Sequence, residues 1–213
     1  MNLDREFNFN VKRKRPEEEY EEASDYFKGD VLVQYANSKS IMRIQEKITI
    51  RALELLDLKK KEAIILDAGC GPGFAAIYLR EMGYRTVALD LITEFLYYYD
   101  IKILNPITSD MCFPPFKPNT FDAIISISAL QWIYKDLDDS RMHLKLKSLS
   151  KAFFNILKPD CRAVFQFYPK NKEIMDSIGK IIVNNTTFHG NFIIDNPNRQ
   201  KKRRIFLLLN KQT

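Results

Sequence analysis

The stretch ILDAGCGPGF, residues Ile65 to Phe74, joins an apolar run to three closely spaced glycines. An apolar run of this length that ends in glycines predicts a buried strand, a tight turn and the first turn of a helix. In open α/β sheets, ligands bind beyond the carboxyl ends of the strands, which is where this loop would lie. The loop is therefore the first candidate for a ligand site, and the residues around it indicate which ligand it suits.

Around this stretch, strand-like runs alternate with amphipathic segments, which is typical of a doubly wound α/β sheet. The last two predicted strands are separated only by NPNRQKKRR, which is too short for a crossover helix, so they should form an antiparallel hairpin at one edge. We therefore predict a Rossmann-like, seven-stranded sheet with a reversed edge strand. The predicted strands are 64–68, 86–90, near 103–107, 122–127, 162–168, 188–194 and 203–210, and the predicted helices are 74–82, near 93–99, 140–157 and 172–184.

The 213 residues, of which 46% are hydrophobic, suit one globular domain. We predict a charged N-terminal arm over residues 1–37, which includes KRKRPEEEY, and a ligand-binding domain over 38–213 that opens with a long amphipathic helix. No apolar run approaches the roughly 18 residues of a membrane span, and the N-terminus does not resemble a signal peptide. We therefore expect an intracellular protein that is cytoplasmic, or nuclear if its source is a eukaryote.

The three cysteines, Cys70, Cys112 and Cys161, are far apart and odd in number. They build neither a disulfide framework nor a CxxC zinc site, so we predict no metal in this chain. The net charge of +6 favours a polyanionic partner without identifying one.

Asp67 lies at the end of the first predicted strand, directly before the glycine loop. A carboxylate at that position would repel a pyrophosphate, and Pro72 removes a backbone N–H that a phosphate cradle would use. The spacing of Gly69, Gly71 and Gly73 is GxGxG, which differs from the dinucleotide pattern GxGxxG. S-adenosylmethionine suits the loop better because its ammonium and sulfonium groups tolerate Asp67, and a helix N-terminus suits its carboxylate.

Two further acidic residues follow predicted strands in the order that such a cofactor needs. Asp90 closes the second strand and could accept both ribose hydroxyls, although it could also be a helix cap. Asp110 follows the third strand and could accept from the adenine amino group, although it could also be a turn residue. Together they are typical of a class I methyltransferase, and an NAD-type fold is the alternative. The predicted cofactor-binding residues are Asp67, Gly69, Gly71, Gly73, Asp90, Leu91, Asp110, Met111 and Ser126.

Several longer motifs extend this pattern: RALELL, LDAGCGPG, FDAIISISALQW, FQFYPKN and IIDNPN followed by lysines. With them, the chain resembles the eukaryotic guanine-N7 methyltransferases of small-subunit ribosomal RNA, the Williams–Beuren region methyltransferase family. The resemblance covers roughly residues 35–209. It implies an S-adenosylmethionine-dependent role in ribosome maturation and a heterodimer with a small zinc-binding activator protein. Family members continue into a long basic tail, whereas this chain ends at Thr213, so nuclear targeting stays open.

Guanine N7 carries a free lone pair at neutral pH, so its methylation needs positioning more than a general base. We therefore predict Gln131, Trp132 and Tyr168 as the catalytic-site residues. Trp132 and Tyr168, and also Tyr35, could stack on an extruded base, while Gln131 and Asn171 read its edge or fix the backbone around it. The alternative is that the two aromatic residues Trp132 and Tyr168 only pack in the core.

Two surface features predict macromolecular contacts. The basic runs 12–15 and 201–204 are expected to contact RNA phosphates, or else to be solvated charge runs. The aromatic segment EFLYYYDIKIL, residues 94–104, should form an apolar sheet edge that the activator covers, unless the long N-terminal helix or the arm covers it instead. The alternative functions are a small-molecule carboxylate methyltransferase, a transfer RNA methyltransferase and a noncatalytic cofactor-binding subunit.

Overall fold

The computed structural model describes residue 9 and residues 14–60, 62–99 and 106–212. The strands are β1 Ile64–Ala68, β2 Arg85–Asp90, β3 Ile107–Thr108, β4 Phe121–Ile127, β5 Leu157–Phe167, β6 Phe188–Asp195 and β7 Arg204–Lys211. The helices are α1 Pro16–Glu19, α2 Ala23–Tyr26, α3 Gly29–Ala36, α4 Lys39–Leu56, α5 Phe74–Glu81, α6 Thr93–Leu96, α7 Leu130–Ile133, α8 Ser140–Ile156 and α9 Lys172–Asn185. A 3-10 turn spans Gln200–Lys202.

These strands form one sheet in the order β3-β2-β1-β4-β5-β7-β6. Strands β1 to β5 pair in parallel, whereas β7 pairs antiparallel with both β5 and β6. The predicted doubly wound sheet, its reversed strand and the terminal hairpin are confirmed, with β7 next to the edge and β6 outside it. Because the strand order reverses between β1 and β4, the crevice beyond these two strands is where a ligand is expected.

Helices cover both faces of the sheet, which explains why the strands are almost entirely apolar. Alternate residues of one strand face opposite layers: Ile65 packs with α4 and α5, while Leu66 packs in the cluster that contains α8 and α9. The α4 helix begins at Ser38, whose side chain accepts from the Ile41 N–H, and ends at Asp57 in a left-handed conformation. The two layers fix the carboxyl ends of β1, β2 and β4 at one rim.

The sequence prediction and the structure differ most at short elements. The third strand contains only Ile107 and Thr108. Residues 103–105 of the segment predicted near 103–107 lie outside the residues that the structure describes. A one-turn helix, α7, follows β4 and was not predicted. Such short elements carry no hydrophobic period, so tertiary contacts decide them.

The described part of the N-terminal arm packs on the domain and contains α1, α2 and α3. Leu32 is buried beside Ile92 and Phe95, with Phe27 against the same cluster. The Lys135 ammonium donates to the carbonyls of Tyr20 at 2.6 Å and Glu21 at 2.8 Å. The boundary between an arm at 1–37 and a domain at 38–213 stays a prediction. No helix within the described ranges is long and apolar enough to cross a membrane.

Candidate active site

The glycine loop after β1 is fastened to β2 by backbone hydrogen bonds. The N–H groups of Gly69 and Cys70 both donate to the Leu89 carbonyl, at 2.8 and 3.0 Å. Gly69 has a φ of 75°, and a Cβ there would lie 2.5 Å from the Ala129 Cβ. Gly73 has a φ of 91° and faces the Tyr99 ring, which leaves no room for a side chain. These two glycines are therefore needed for close packing, which sets the position of the loop.

A cavity opens beyond this loop, at the carboxyl ends of β1, β2 and β4. Seven of the nine predicted cofactor-binding residues line it: Asp67, Gly69, Gly71, Asp90, Leu91, Asp110 and Met111. Gly73 and Ser126 do not line it. Gly73 is the residue before α5, and the Ser126 hydroxyl is buried with no hydrogen-bond partner in the described part of the chain. Ser128, two residues further along, lines the cavity instead.

Asp67 is 1% exposed, and neither of its carboxylate oxygens has a hydrogen-bond partner among the described residues. Burial, followed by the nearby charge of Asp90, raises the pKa of Asp67 to about 7, and the nearby Ala76 backbone N–H opposes that shift. A buried carboxylate with so little support from donors is unfavourable unless a cation approaches it. The ammonium and sulfonium of S-adenosylmethionine supply such a charge, so the residues present fit this cofactor.

Asp90 can combine two roles that the sequence presented as alternatives. Its Oδ2 accepts from the Gly71 N–H at 2.7 Å and its Oδ1 from the Ile92 N–H at 2.8 Å. Burial raises the pKa of this carboxyl, and the two backbone hydrogen bonds oppose that shift. Each carboxylate oxygen retains a further lone pair for a hydroxyl donor. Asp90 can therefore hold the loop and still accept from a ribose.

Asp110, Met111 and Leu91 form the other side of the cavity. The Asp110 Oδ1 accepts from the Cys112 N–H at 2.8 Å, so this residue also closes a turn. Met111 is buried, and Leu91 is half-exposed at the mouth. A carboxylate beside two apolar side chains can accept from an adenine amino group while the ring lies against Met111 and Leu91.

Of the three predicted catalytic-site residues, Trp132 lines the cofactor cavity, whereas Gln131 and Tyr168 line a neighbouring one. The Trp132 ring is stacked against Tyr26 of the arm, with centroids 6.1 Å apart and an interplanar angle of 24°. Tyr35, expected to stack on a base, lines the same cavity as Trp132 and contacts the rings of Phe27, Phe74 and Phe95. Its burial raises its pKa to about 12.

Sequence reasoning missed a polar chain at the end of β4. Gln45 donates to the Ser128 hydroxyl at 3.3 Å, and that hydroxyl donates to the Gln166 side-chain oxygen at 2.9 Å. Ser128 has a φ of 58°, a conformation uncommon for serine, and its carbonyl accepts from the Gln131 amide at 2.9 Å. Asn171, expected to read a base, caps α9 by accepting from the Ile174 N–H. The sequence contains no pattern that predicts the left-handed φ of Ser128 or the hydrogen bonds that join Gln45, Ser128 and Gln166 from distant elements.

Residues 66–165 match the family model of the methyltransferase domain. The 18S rRNA (guanine-N(7))-methyltransferase of Bos taurus is 33% identical over 196 residues, which cover 86% of this chain and 67% of that protein. The 18S rRNA (guanine(1575)-N(7))-methyltransferase of Saccharomyces cerevisiae is 32% identical over 76% of this chain and 60% of its own length. The chain belongs to the family of 18S rRNA guanine-N7 methyltransferases.

A solved structure agrees with this assignment at the level of the fold. The phosphoethanolamine N-methyltransferase 2 of Haemonchus contortus, in complex with S-adenosyl-L-methionine, aligns with a TM-score of 0.60 and 17% identity. The alignment covers 78% of this chain and 53% of that chain. The chain spans about two thirds or less of the length of the two rRNA methyltransferases named above. The chain is a methyltransferase of this family, and S-adenosylmethionine is its cofactor.

Cofactor binding by this methyltransferase should release protons. A bound cation lowers the raised pKa of Asp67, so the complex holds fewer protons than the free protein, and a higher pH favours binding. We expect the affinity for S-adenosylmethionine to increase from about pH 5 to about pH 7, by at most about tenfold per pH unit. Titration calorimetry in two buffers of different ionisation enthalpy measures the protons released.

The matched variant for this measurement is Asp67→Asn, which keeps the size of the side chain and removes its titration. It should bind more weakly and show little dependence on pH in the same window. Equal proton release by the variant and the wild type would show that Asp67 does not face the cofactor cation.

Proposed function

We propose that this protein transfers a methyl group from S-adenosylmethionine to N7 of a guanine in small-subunit ribosomal RNA during ribosome maturation. It would act where precursor RNA is present, in the cytoplasm or in the nucleus of a eukaryote. The single observation that carries the proposal is the position of Trp132 on the wall of a cavity whose buried carboxylate, Asp67, has no hydrogen-bond partner among the described residues. The family membership supports the choice of base and RNA.

The chemistry needs no proton acceptor from the chain, because guanine N7 has a free lone pair. When bound, S-adenosylmethionine supplies an activated methyl group. Asp67 and Asp90 would hold its charged and hydroxyl groups, Asp110 its adenine, and Trp132 would orient the acceptor base by stacking. Burial raises the pKa of the Cys70 thiol and of the Cys112 thiol, so neither provides a thiolate for a covalent route.

The reaction can be tested directly on the RNA. Small-subunit ribosomal RNA incubated with the protein and S-adenosylmethionine should gain N7-methylguanosine at one position, detected by mass spectrometry of nuclease digests. The variant Trp132→Ala should lower kcat/KM by about 10- to 100-fold, since one stacked base contributes about 1–3 kcal/mol. Methylation of a small carboxylic acid or of transfer RNA in place of this guanine would contradict the proposal.

A cationic surface beside Tyr168 supports an RNA substrate. The Arg15 guanidinium lies 5.5 Å and the Arg204 guanidinium 6.0 Å from the centroid of the Tyr168 ring, so two predicted basic runs meet there. Arg15 also donates to the Tyr168 carbonyl at 2.8 Å. Lys201 and Arg203 line the same surface depression, whereas residues 12 and 13 lie outside the described part of the chain. Cations around an aromatic ring suit a phosphodiester backbone with unstacked bases.

Removing charge from this surface should weaken RNA binding and its dependence on salt. In the variant Lys14→Gln, Lys201→Gln, Lys202→Gln, each lost phosphate contact should reduce the slope of log K against log salt by about 0.7–0.9. All three lysines are exposed. Filter binding of RNA at several salt concentrations measures the slope.

The control is Lys147→Gln, Lys151→Gln, two exposed lysines along α8, which leads away from the carboxyl ends of the strands. Both variants should bind S-adenosylmethionine as the wild type does. A slope that changes equally in the variant and the control would place the RNA elsewhere.

We also propose that a small zinc-binding activator protein forms a heterodimer with this chain by covering its β3 edge. Phe95 of the aromatic segment is covered by Phe27 of the arm, at 5.2 Å between centroids, but Tyr97 and Tyr98 are 78% and 37% exposed. The arm thus covers only part of the segment. No cluster of His, Cys, Asp and Glu suited to a metal occurs in the described ranges, so the zinc would arrive with the partner.

The variant Tyr98→Asp should abolish this heterodimer, because a charge would be buried against an apolar partner. Co-purification of the two chains and size-exclusion chromatography measure the complex. Leu144→Asp, at an exposed apolar residue of α8, is the control and should leave the complex intact. A stable heterodimer with Tyr98→Asp would show that the partner binds at another surface.

A further inference from the structure

A second cavity adjoins the cofactor cavity on the far side of the α7 segment. Six of the residues that line it are Glu17, Gln131, Tyr134, Lys135, Tyr168 and Pro169. They come from the arm, from α7 and the loop behind it, and from the loop after β5. The two cavities share no lining residue but meet at consecutive positions, because Gln131 lines one and Trp132 the other.

Two buried oxygen atoms in this second cavity have no donor. Glu17 is 7% exposed, and its Oε1 has no hydrogen-bond partner among the residues that the structure describes. Gln131 is 6% exposed, and its Oε1 is likewise without a partner there, while its amide already donates to the Ser128 carbonyl. Buried acceptors in native proteins are normally satisfied, so a pair of exceptions in one cavity indicates that a ligand with N–H groups belongs there.

The surroundings of Glu17 agree with a recognition role. Burial raises the pKa of its carboxyl, and its own backbone N–H, followed by the charges of Arg15 and Lys135, opposes that shift. The Lys135 ammonium donates two of its three N–H groups to the carbonyls of Tyr20 and Glu21, and its third N–H group can donate to a ligand. The buried part of the cavity thus combines two acceptors with one remaining donor. Exposed charged side chains also line the cavity: Glu18, Glu19, Glu21, Asp136 and Lys170.

Among the RNA bases, guanine matches this combination. Its Watson–Crick edge carries an N1–H, a 2-amino group and the O6 acceptor in a row. Adenine, cytosine and uracil each place at least one acceptor where guanine has a donor. N7 lies on the other side of the purine from N1 and the 2-amino group. A guanine held by that edge in the second cavity would therefore turn N7 away from Glu17, toward the wall that carries Trp132.

We propose that Glu17 and Gln131 recognise the target guanine through its N1–H and 2-amino group, so that N7 faces the cofactor cavity. This inference rests on the proposed function and adds the residues that select the base. Glu17 thereby becomes a specificity-determining residue contributed by the arm. Lys135 donates to O6, and its ammonium lies 5.4 Å from the centroid of the Trp132 ring, so the base lies next to Trp132 at the boundary between the two cavities.

The test compares guanosine with inosine, which keeps N7, N1–H and O6 but lacks the 2-amino group. Wild-type protein, with its activator, should methylate RNA with guanosine at the target about 10- to 100-fold faster, in kcat/KM, than the same RNA with inosine. The isosteric variant Glu17→Gln should lower the guanosine rate by a similar factor and bring the ratio close to one. Asp25→Asn, at an exposed acidic residue of the arm helix α2 that lines neither cavity, is the control and should keep the wild-type ratio.

A binding measurement separates this inference from the proposed function. Trp132 is the single tryptophan of the chain, so its fluorescence reports stacking in the full-length protein. Guanosine monophosphate should quench it at about tenfold lower concentration than inosine or adenosine monophosphate, and Glu17→Gln should abolish that preference. Calorimetry should show an unchanged affinity of Glu17→Gln for S-adenosylmethionine, which confirms that it folds.

The outcomes are distinct. If the wild type methylates guanine but its ratio of guanosine to inosine is one, or Glu17→Gln retains the wild-type ratio, the inference is overturned while the function stands. If the wild type modifies no guanine, the proposed function fails, and the fluorescence preference alone decides whether the second cavity selects guanine.

Discussion

The structure of the site depends on the attachment of the glycine loop to β2. The Leu89 carbonyl accepts from Gly69 and Cys70, and Asp90 accepts from Gly71, so three successive N–H groups of the loop are used by β2. An anion in the loop would have to compete with these bonds for the same donors. The same geometry buries Asp67 behind the loop with its oxygens unpaired. Glycine loops of dinucleotide-binding proteins bind phosphate, whereas this loop is suited to a cation. A glycine pattern alone therefore does not identify the ligand.

The arm completes the site that the sheet begins. Phe27 and Tyr35 line the cofactor cavity, and Glu17 lines the cavity beside it. The arm is held by ion pairs of its acidic residues, such as Lys145 with Glu22 at 2.7 Å, and by the Lys135 hydrogen bonds to its backbone. These partners are partly exposed, so each pair contributes little by itself, and the buried aromatic contacts at Phe95 carry most of the attachment.

The long elements of the fold could be predicted because each carries its own period or apolar run. Strand β1 was predicted at its observed bounds, and the outer hairpin followed from a loop too short for a helix. The acidic residues at strand ends, Asp67, Asp90 and Asp110, also line one cavity, as the sequence led us to expect. The arm helices could not be predicted, since helices of four to eight residues are stable only through packing. Ser128 lines the cavity where Ser126 was predicted to do so. This difference depends on the left-handed φ of Ser128, which the residue type does not predict.

The buried oxygens of both cavities decide which ligands each cavity suits. The carboxylate of Asp67 and the Oε1 atoms of Glu17 and Gln131 have no hydrogen-bond partner among the described residues. A ligand that brings a cation or N–H donors to these oxygens forms hydrogen bonds with them, whereas a ligand that leaves a buried oxygen unsatisfied loses about 1–3 kcal/mol for each one. Selectivity in this fold therefore arises from buried polar side chains that accept hydrogen bonds from the ligand.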